Sequence, residues 1–504
     1  MTSALPTPGS VAAAGPDRGD GDWMGELARH YRRMRAAYPD GELVIVFDID
    51  GTILDVRHQV VHVLLAYDRE RGTEHFHGLR PEDVDVHEDL VDELLLGLPL
   101  PAEVRRDVLG WYRERLWSPE AVLAGSRPYQ GVLGVIRWFQ LQPRTHVALN
   151  TGRPGSMREL TLRALNALGR AHRVSFRSDL LLMNPSGWHR GVEAAKAAAI
   201  RSLRARGFRV VAVVDNEPAN LEAMAAADED GEILFLHAET IFASQRRPIP
   251  RSVAGRRYGL ADVVSERDLA GRVAFVWHGV NDEANLRQFL ASDVRWAEAD
   301  VRRDPLDRLV LRHDPFEEDP WSRDERPFLL VDLLHRLGLA GRAVKLDLKE
   351  GGEVADRALA AAAASGLAQE DVWWHGAVED LGEPTFRRLA RAARRSVRSV
   401  EGGFLAPLVL GAPEVARRVL RELAAWGVSR ISLPWGAPRL ADLLDVLERW
   451  GWQVNLYDVP DLEGFLHAAL LLPASVTADF NFPERHHYGR GPGRRRVHHR
   501  YALV

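Results

Sequence analysis

Leu43-Val44-Ile45-Val46-Phe47-Asp48-Ile49-Asp50-Gly51-Thr52 is the stretch on which the reading of this chain turns. Five apolar residues, Leu43 to Phe47, run straight into two carboxylates one residue apart. The run is too short for a typical helix and is followed by Gly51, so it reads as a buried parallel strand. In sheets of that kind, chemistry sits just beyond the carboxyl ends of the strands. Asp48 and Asp50 fall there, Gly51 allows a sharp turn, and Thr52 offers a hydroxyl. One carboxylate can attack phosphorus while the other protonates the leaving oxygen, provided a divalent cation screens their repulsion. Two aspartates alone would read as an acidic loop. Three further pieces downstream, in order, favour the chemistry.

His146-Val147-Ala148-Leu149-Asn150 reads as a strand ending in Thr151-Gly152-Arg153-Pro154. A hydroxyl at a strand end, beside a helix start, is placed to hold a phosphate oxygen, although a lone Thr there is more often a cap. Trp188 to Ile200 reads as a helix carrying Lys196 among alanines; that lysine would neutralise phosphate and nucleophile if it points inward. Val210 to Val214 is a second strand that ends in acids, Asp215-Asn216-Glu217. Asp215 would supply another metal carboxylate, with Asn216 or Glu217 reaching the ion directly or through water. Between the first two pieces, residues from about 55 to 128 read as helical, an insertion expected to form a cap that excludes water and selects substrate. Its His75, His77 and His87 lack the tight spacing of a metal site.

These residues resemble the four motifs of the haloacid dehalogenase (HAD) superfamily of phosphatases. The resemblance implies that Asp48 is the nucleophile of an aspartyl-phosphate and Asp50 the general acid/base. Thr151 and Lys196 would hold the phosphoryl group, with Thr52, Gly152 and Arg153 on the substrate. Asp48, Asp215, Asn216 and the Asp50 carbonyl would bind Mg2+. Asn216 stands where the family usually carries a second acid, with Glu217 as the possible substitute.

The 504 residues are too many for one core. An apolar share of 46% and a charged share of 27% are those of a globular chain. A net charge of -5 argues against a protein that coats nucleic acid. The absence of Cys excludes disulfides, thiolate zinc sites and cysteine nucleophiles, and fits a reducing compartment. No apolar run reaches the roughly 18–20 residues of a membrane span. Residues 1–22, rich in Gly, Ala and Pro, are expected as a disordered leader of a cytoplasmic protein. The first domain is expected over 23–245, and 246–270, with its Arg-Arg, Pro and Gly, reads as a linker.

From Val273 a second pattern begins, expected to run over 271–485. Apolar strands alternate with helices, the strands being near 273–277, 294–301, 309–313, 343–348, 372–375, 397–401, 431–433, 454–456 and 476–480. This alternation suggests a closed or nearly closed (β/α) barrel, with its site at the strand C-terminal ends. His278, Glu298, Asp300, His313-Asp314, Lys345, Asp347 and Lys349 fall at such ends. Alternate spacing points Glu298 and Asp300 to one face, as a shared metal requires. Singly, His278 reads as a core histidine and Glu298 with Lys345 as a structural ion pair. Jointly, two histidines flanking three carboxylates suit metal-assisted phosphodiester cleavage.

Trp277-His278-Gly279-Val280-Asn281, Ala297-Glu298-Ala299-Asp300-Val301, His313-Asp314 and Lys345-Leu346-Asp347-Leu348-Lys349 resemble the glycerophosphodiester phosphodiesterase and phospholipase-C-like barrels, closest to the menorin branch. By that resemblance His278 and His313 are the acid/base pair. Glu298, Asp300 and Asp347 would bind Mg2+ or Ca2+, while Lys345, Lys349 and Asn281 would contact substrate. Gly279 replaces the family's common Arg, and Asp347 stands where Glu is usual. The tail 486–504, with His486, His487, His498 and His499 among arginines, reads as a solvated basic segment.

The fold expected is therefore α/β: a Rossmann-like HAD domain with a helical cap, followed by a TIM-type (β/α) barrel. The function expected is a bifunctional phosphohydrolase acting on small phosphorylated substrates, the barrel opening a diester and the first domain removing the resulting monoester. A phosphatase with a ligand-binding barrel is the alternative. A nucleotide or nucleic-acid end-processing enzyme is a third reading, and net acidity counts against it.

Overall fold

A computed structural model of the chain describes residues 22–188, 191–240, 252–264, 266–320 and 326–480. The expected leader, up to residue 21, and the tail 486–504 lie outside the described residues. The chain divides into two compact units. One holds residues up to Leu168 and Phe176–Val263; the other holds Gly169–Ser175 and everything from Val264 onward.

Among the described residues the first unit is built on a six-stranded parallel sheet. Its strands are β1 (Leu43–Phe47), β2 (Thr145–Pro154), β3 (Leu181–Asn184), β4 (Arg209–Asp215), β5 (Leu234–Ala238) and β6 (Ser252–Gly255). The order is β3-β2-β1-β4-β5-β6, so the opening stretch lies centrally, with β2 and β4 on its two sides. Leu43, Val44, Ile45, Val46 and Phe47 are all fully buried. Each such side chain contributes about 1.5–3 kcal/mol on leaving water, which favours the centre of the sheet. In register, Phe47 pairs with Leu149 and with Val214, so Asp48, Asn150 and Asp215 stand level across three adjacent strands. Helix Val192–Ala205 packs Ile200 and Leu203 onto Val44, Val46 and Val213.

The insertion after β1 forms helices Val56–Arg71, Val91–Leu96, Ala102–Arg115 and Pro119–Gly125. They close over their own cluster, including Val60, Leu64, Tyr67, Val108, Trp111 and Tyr112. Of the stretch 246–270, read as a linker, the described residues depart from that expectation. Ser252–Gly255 is the sixth strand, pairing Phe235 with Ser252 through Ala238 with Gly255. Trp23 covers it: a Cβ on Gly255 would stand 2.3 Å from the Trp23 ring. Composition misleads here because an edge strand needs little apolar sequence of its own.

The second unit is a closed (β/α) barrel. Its strands are β7 (Ala274–Trp277), β8 (Trp296–Arg303), β9 (Leu309–Leu311), β10 (Ala343–Leu348), β11 (Val372–Gly376), β12 (Val397–Glu401), β13 (Arg430–Pro434), β14 (Gln453–Tyr457) and β15 (Ser475–Ala478). Eight of them run parallel from β10 to β15, then β7 and β8, and the β8–β10 pairing closes the ring. The exception is β9, which the alternation placed among the barrel strands. Only residues 304–308 separate it from β8, whereas a parallel crossover needs about a dozen residues or more. It turns back instead, pairing antiparallel with Val301 to Arg303. Asp304 builds the turn by accepting the N–H groups of Leu306 (2.9 Å) and Arg308 (2.7 Å).

Inside the ring, the residues in register on β13, β14 and β15 are polar. Arg430 donates to Gln453 Oε1 (2.9 Å) and Ser475 Oγ (3.2 Å). Asn455 accepts from Ser475 (2.7 Å) and Thr477 (3.1 Å) and donates to Ser432 (3.3 Å). Apolar packing is left to the outer shell, where Leu333, Leu337, Leu420, Leu423, Leu443 and Leu447 are buried.

Candidate active sites

At the C-terminal edge of the first sheet, Asp48 follows β1 and its backbone N–H donates to Val214 O (2.8 Å). Lys196, from helix Val192–Ala205, is buried and bridges two acids. Its Nζ lies 2.8 Å from Asp48 Oδ1 and 2.6 Å from Asp215 Oδ2. Burial, opposed by Lys196 and reinforced by Asp215, pushes the Asp48 carboxyl up to about 8. The second Asp215 oxygen accepts from Glu217 N (2.9 Å) and Asn220 Nδ2 (3.2 Å). The Glu217 carboxyl is also raised, first by burial.

Gly51 takes a positive φ of 75°, which makes the turn after Asp50. Asp50 is held by Arg153 through two bonds of 2.7 Å, a bidentate pair. Arg153 also donates to Thr161 (3.2 Å), and its guanidinium lies 5.0 Å from the Trp117 ring, itself stacked on Trp188. The arginine expected on substrate is thus committed to Asp50. Thr151 Oγ1 accepts from the Arg153 N–H (3.2 Å), and Gly152 lies against Val192 at the start of the Lys196 helix. Thr52 is buried, and its backbone carbonyl accepts from Tyr258 Oη (2.9 Å). Asn216 satisfies both ends of its amide, an assignment made from the hydrogen-bond network, when the amino group faces Asp48 Oδ2 (3.2 Å) and the Asp50 carbonyl (3.0 Å).

These contacts test a cation at this edge. An Asp48 oxygen and the Asp50 carbonyl converge on one donor, and Asp48 and Asp215 share one lysine. Hard oxygens and surplus negative charge fit a divalent ion. Asn216 would offer its oxygen in the opposite amide orientation.

In the barrel, Glu298, Asp300 and Asp347 project inward from β8 and β10, paired in register as Glu298 with Lys345 and Asp300 with Asp347. One oxygen from each lies within 4.8 Å of the others. All three are buried, and three converging carboxylates fit a divalent cation. Lys349 Nζ sits 2.8 Å from Asp300 Oδ1 and 2.7 Å from Asp347 Oδ2, and the two acids raise its pKa. Lys345 is buried lower down, its Nζ 5.3 Å from the Trp373 ring centre. Gly279, at φ 69°, turns its N–H onto Glu298 Oε2 (2.9 Å). Asn281, expected on substrate, holds Asp300 instead, donating to Oδ2 (2.6 Å) and accepting the Asp300 N–H (2.9 Å).

Both expected histidines are oriented through Nδ1 by an aspartate. His278 pairs with Asp479 (2.7 Å) and His313 with Asp314 (2.8 Å), which directs each Nε2 away from its anchor. His278 Nε2 is 3.8 Å from Glu298. His313 follows β9 rather than a barrel strand, and its side chain is 43% exposed, so it stands nearer the rim than the sequence pattern implied. His375, in register with Asp347 and bonded to Ser399 Oγ (2.7 Å), was missed. Burial first, and then Lys345, lower it to about 3, so it is neutral. Only the interior register, not local spacing, marks it.

Burial opposes protonation of His278, but Glu298, Asp479 and Asp300 outweigh it and raise the group to about 9. A raised histidine stabilises the fold fully below its unfolded value of about 6.5 and loses that contribution as pH rises through about 9. With chelator present, His278→Gln should therefore cost more thermal stability at pH 6 than at pH 10. A cost that is constant over this range would contradict the pairing.

Fold and sites together define a class: a Rossmann-like α/β unit bearing an aspartate pair, joined to a (β/α) barrel bearing a carboxylate trio. Solved structures similar to the chain fall into two groups of the same two kinds that the motifs resemble. A glycerophosphodiester phosphodiesterase from Agrobacterium tumefaciens is 16% identical (TM-score 0.31), covering 41% of this chain and 96% of its own. An Oleispira antarctica phosphodiesterase, in complex with sn-glycerol-3-phosphate, is 14% identical (TM-score 0.31), with 42% and 94% covered. A HAD-superfamily hydrolase of subfamily IA from Geobacter sulfurreducens is 13% identical (TM-score 0.30), with 44% and 94% covered. No protein-family model matches the chain, and no curated protein does. Likeness at this level assigns no role to any residue, which is left to the chemistry of the sites.

Proposed function

We propose that the first unit hydrolyses phosphomonoesters through an aspartyl-phosphate and that the barrel cleaves phosphodiesters, the two acting in series. The observation that carries the reading is Lys196 bridging Asp48 and Asp215 at adjacent strand ends. Asp48 attacks phosphorus, the phosphorus–oxygen bond to the leaving alcohol breaks, and Asp50 delivers the proton to that alcohol. Asp50 then takes a proton from water as it attacks the aspartyl-phosphate, releasing phosphate and restoring Asp48. Arg153, bidentate on Asp50, fixes the carboxyl in the position from which it exchanges this proton. Lys196 and Thr151 hold the phosphoryl oxygens, with Thr52 and Gly152 beside them.

In the barrel, His313 takes a proton from the attacking water, the phosphorus–oxygen bond to the leaving alcohol breaks, and His278 gives its proton to that alcohol, so the diester yields an alcohol and a monoester. Lys345 and Lys349 offset the charge of the phosphodiester. The cation sites are Asp48, Asp215, Asn216 and the Asp50 carbonyl for Mg2+, and Glu298, Asp300 and Asp347 for Mg2+ or Ca2+. An ion bound at either site screens the carboxylates and polarises a phosphoryl oxygen. The absence of Cys supports placing this chemistry in the cytoplasm.

A second reading has the barrel bind a phosphoester without cleaving it. Lys349 seated between Asp300 and Asp347, where a cation would go, favours it. Product analysis separates the two. Glycerophosphodiesters are incubated with wild type, Asp48→Asn and His278→Ala in the presence of Mg2+ or Ca2+. Sequential action yields alcohol and inorganic phosphate from wild type, monoester from Asp48→Asn, and a diester rate lowered about 10²- to 10⁴-fold for His278→Ala. Hydrolysis of monoesters alone, with His278→Ala silent, makes the barrel a binding module. No phosphate release from any monoester sinks the first half as well.

A further inference from the structure

His313 is the member of the acid/base pair that follows no barrel strand, and two arginines hold it instead. Beyond β9 the chain over 312–320 forms neither helix nor strand, and rim segments of this kind are ordinarily the mobile part of a fold. Arg312, the residue before His313, is nevertheless only 2% exposed. Its backbone N–H donates to the carbonyl of Asp300 (2.8 Å), which ties it to β8 at a member of the carboxylate trio. Its guanidinium then turns onto the segment that follows. Nε donates to the Asp314 carbonyl (3.0 Å), while Nη2 pairs with the Asp319 carboxylate (2.8 Å) and donates to the Asp319 carbonyl. The Phe316 ring covers it, 4.6 Å from the guanidinium carbon.

The second arginine comes from the other strand of the hairpin. Arg302 lies two residues beyond Asp300 on β8, and its Nε donates to the His313 carbonyl (2.8 Å). The carbonyls of His313 and Asp314 are therefore both met by guanidinium groups, and both arginines start from backbone beside Asp300. A planar guanidinium with five donors can serve several carbonyl and carboxylate oxygens at once. The Nδ1 bond to Asp314 (2.8 Å) sets the rotation of the imidazole, and the arginines set where its backbone stands.

We propose that Arg302 and Arg312 are positioning residues that fix His313 relative to Glu298, Asp300 and Asp347, where it takes the proton of the attacking water. This rests on the phosphodiesterase reading of the barrel. Each arginine acts through His313 rather than on the substrate. Displacing a reacting group by about 1 Å can cost on the order of 10²-fold in rate, so a general base on a rim segment needs such an anchor.

The test measures kcat and KM of the full chain on glycerophosphoethanolamine with Mg2+ or Ca2+, placing each arginine variant in the wild-type and the His313→Ala backgrounds. In the wild-type background Arg312→Ala should lower kcat by about 10- to 100-fold and leave KM within about 3-fold. With His313 already removed, the same change should cost less than about 2-fold, because residues that act as one unit are not additive. Arg302→Met, which leaves the buried Arg312 in place, gives the same comparison where Arg312→Ala fails to fold. Equal losses with and without His313, or a kcat within about 2-fold of wild type for both arginine variants, overturn the proposal. If wild type cleaves no diester, or His313→Ala keeps the wild-type rate, it is the phosphodiesterase reading that fails, and the arginines lose their role with it.

Discussion

Asp48→Asn should lower phosphomonoester turnover by roughly 10⁴-fold or more, the scale on which a nucleophile's removal is felt, and yet leave the first unit more stable than wild type. The two effects have one cause. Asp48 is buried beside Asp215 with Lys196 shared between them, and its carboxyl is raised from 3.8 to about 8. An acid raised in the folded state holds its proton longer there than in the unfolded chain. Its contribution to stability therefore declines as pH rises from about 4 through about 8. Asn at this position never ionises, and Asp215 remains to pair Lys196. The variant's advantage in melting temperature should accordingly be small at pH 5 and larger at pH 8, by about 1 kcal/mol or more, measured with chelator present. A variant that melts below wild type at pH 8 would show that the ionised Asp48 is a net stabilising partner of Lys196.

Lys196→Met should be the most damaging single change to the fold. Met keeps the length of the side chain in the buried channel and removes the charge that Asp48 and Asp215 share. Leaving buried charges without their partner costs about 3–5 kcal/mol. In a unit of this size that is a fall of roughly 10 °C or more in melting temperature. Phosphatase turnover should vanish with it. Adding Asp48→Asn to Lys196→Met should recover part of the loss, because residues in one charge network are not additive. If Lys196→Met melts within about 2 °C of wild type, the bridge is not what holds this edge together.

Much of this was legible because strand ends announce themselves. Leu43 to Phe47 run apolar until Asp48, Val210 to Val214 until Asp215, and both strands lie side by side in the sheet. The alternation Glu298-Ala299-Asp300 and Lys345-Leu346-Asp347 set the acids on one face, and β8–β10 pairing brings them together. What was not legible depends on which side chain meets which. Arg153 and Asn281 read as substrate contacts, but each is committed to a catalytic-edge aspartate more than a hundred or about twenty residues away in sequence. His375 has no local signature at all; its interior register beside Asp347 and its burial distinguish it. The hairpin β8–β9 shows the limit of an alternation argument, because its short turn overrides the barrel pattern and moves His313 toward the rim.

The hydrogen-bonded belt inside the barrel has a consequence for how the ring is assembled. Arg430, Ser432, Asn455, Ser475 and Thr477 satisfy one another only when β13, β14 and β15 stand at one offset. Sliding any of these strands by two residues would keep the inward face inward but strand donors and acceptors away from water. A greasy lumen would tolerate such a slip far more cheaply. The amides and hydroxyls thus work as a vernier, supplying little adhesion but selecting a single stagger of the strands. That stagger in turn sets the height at which Glu298, Asp300 and Asp347 meet.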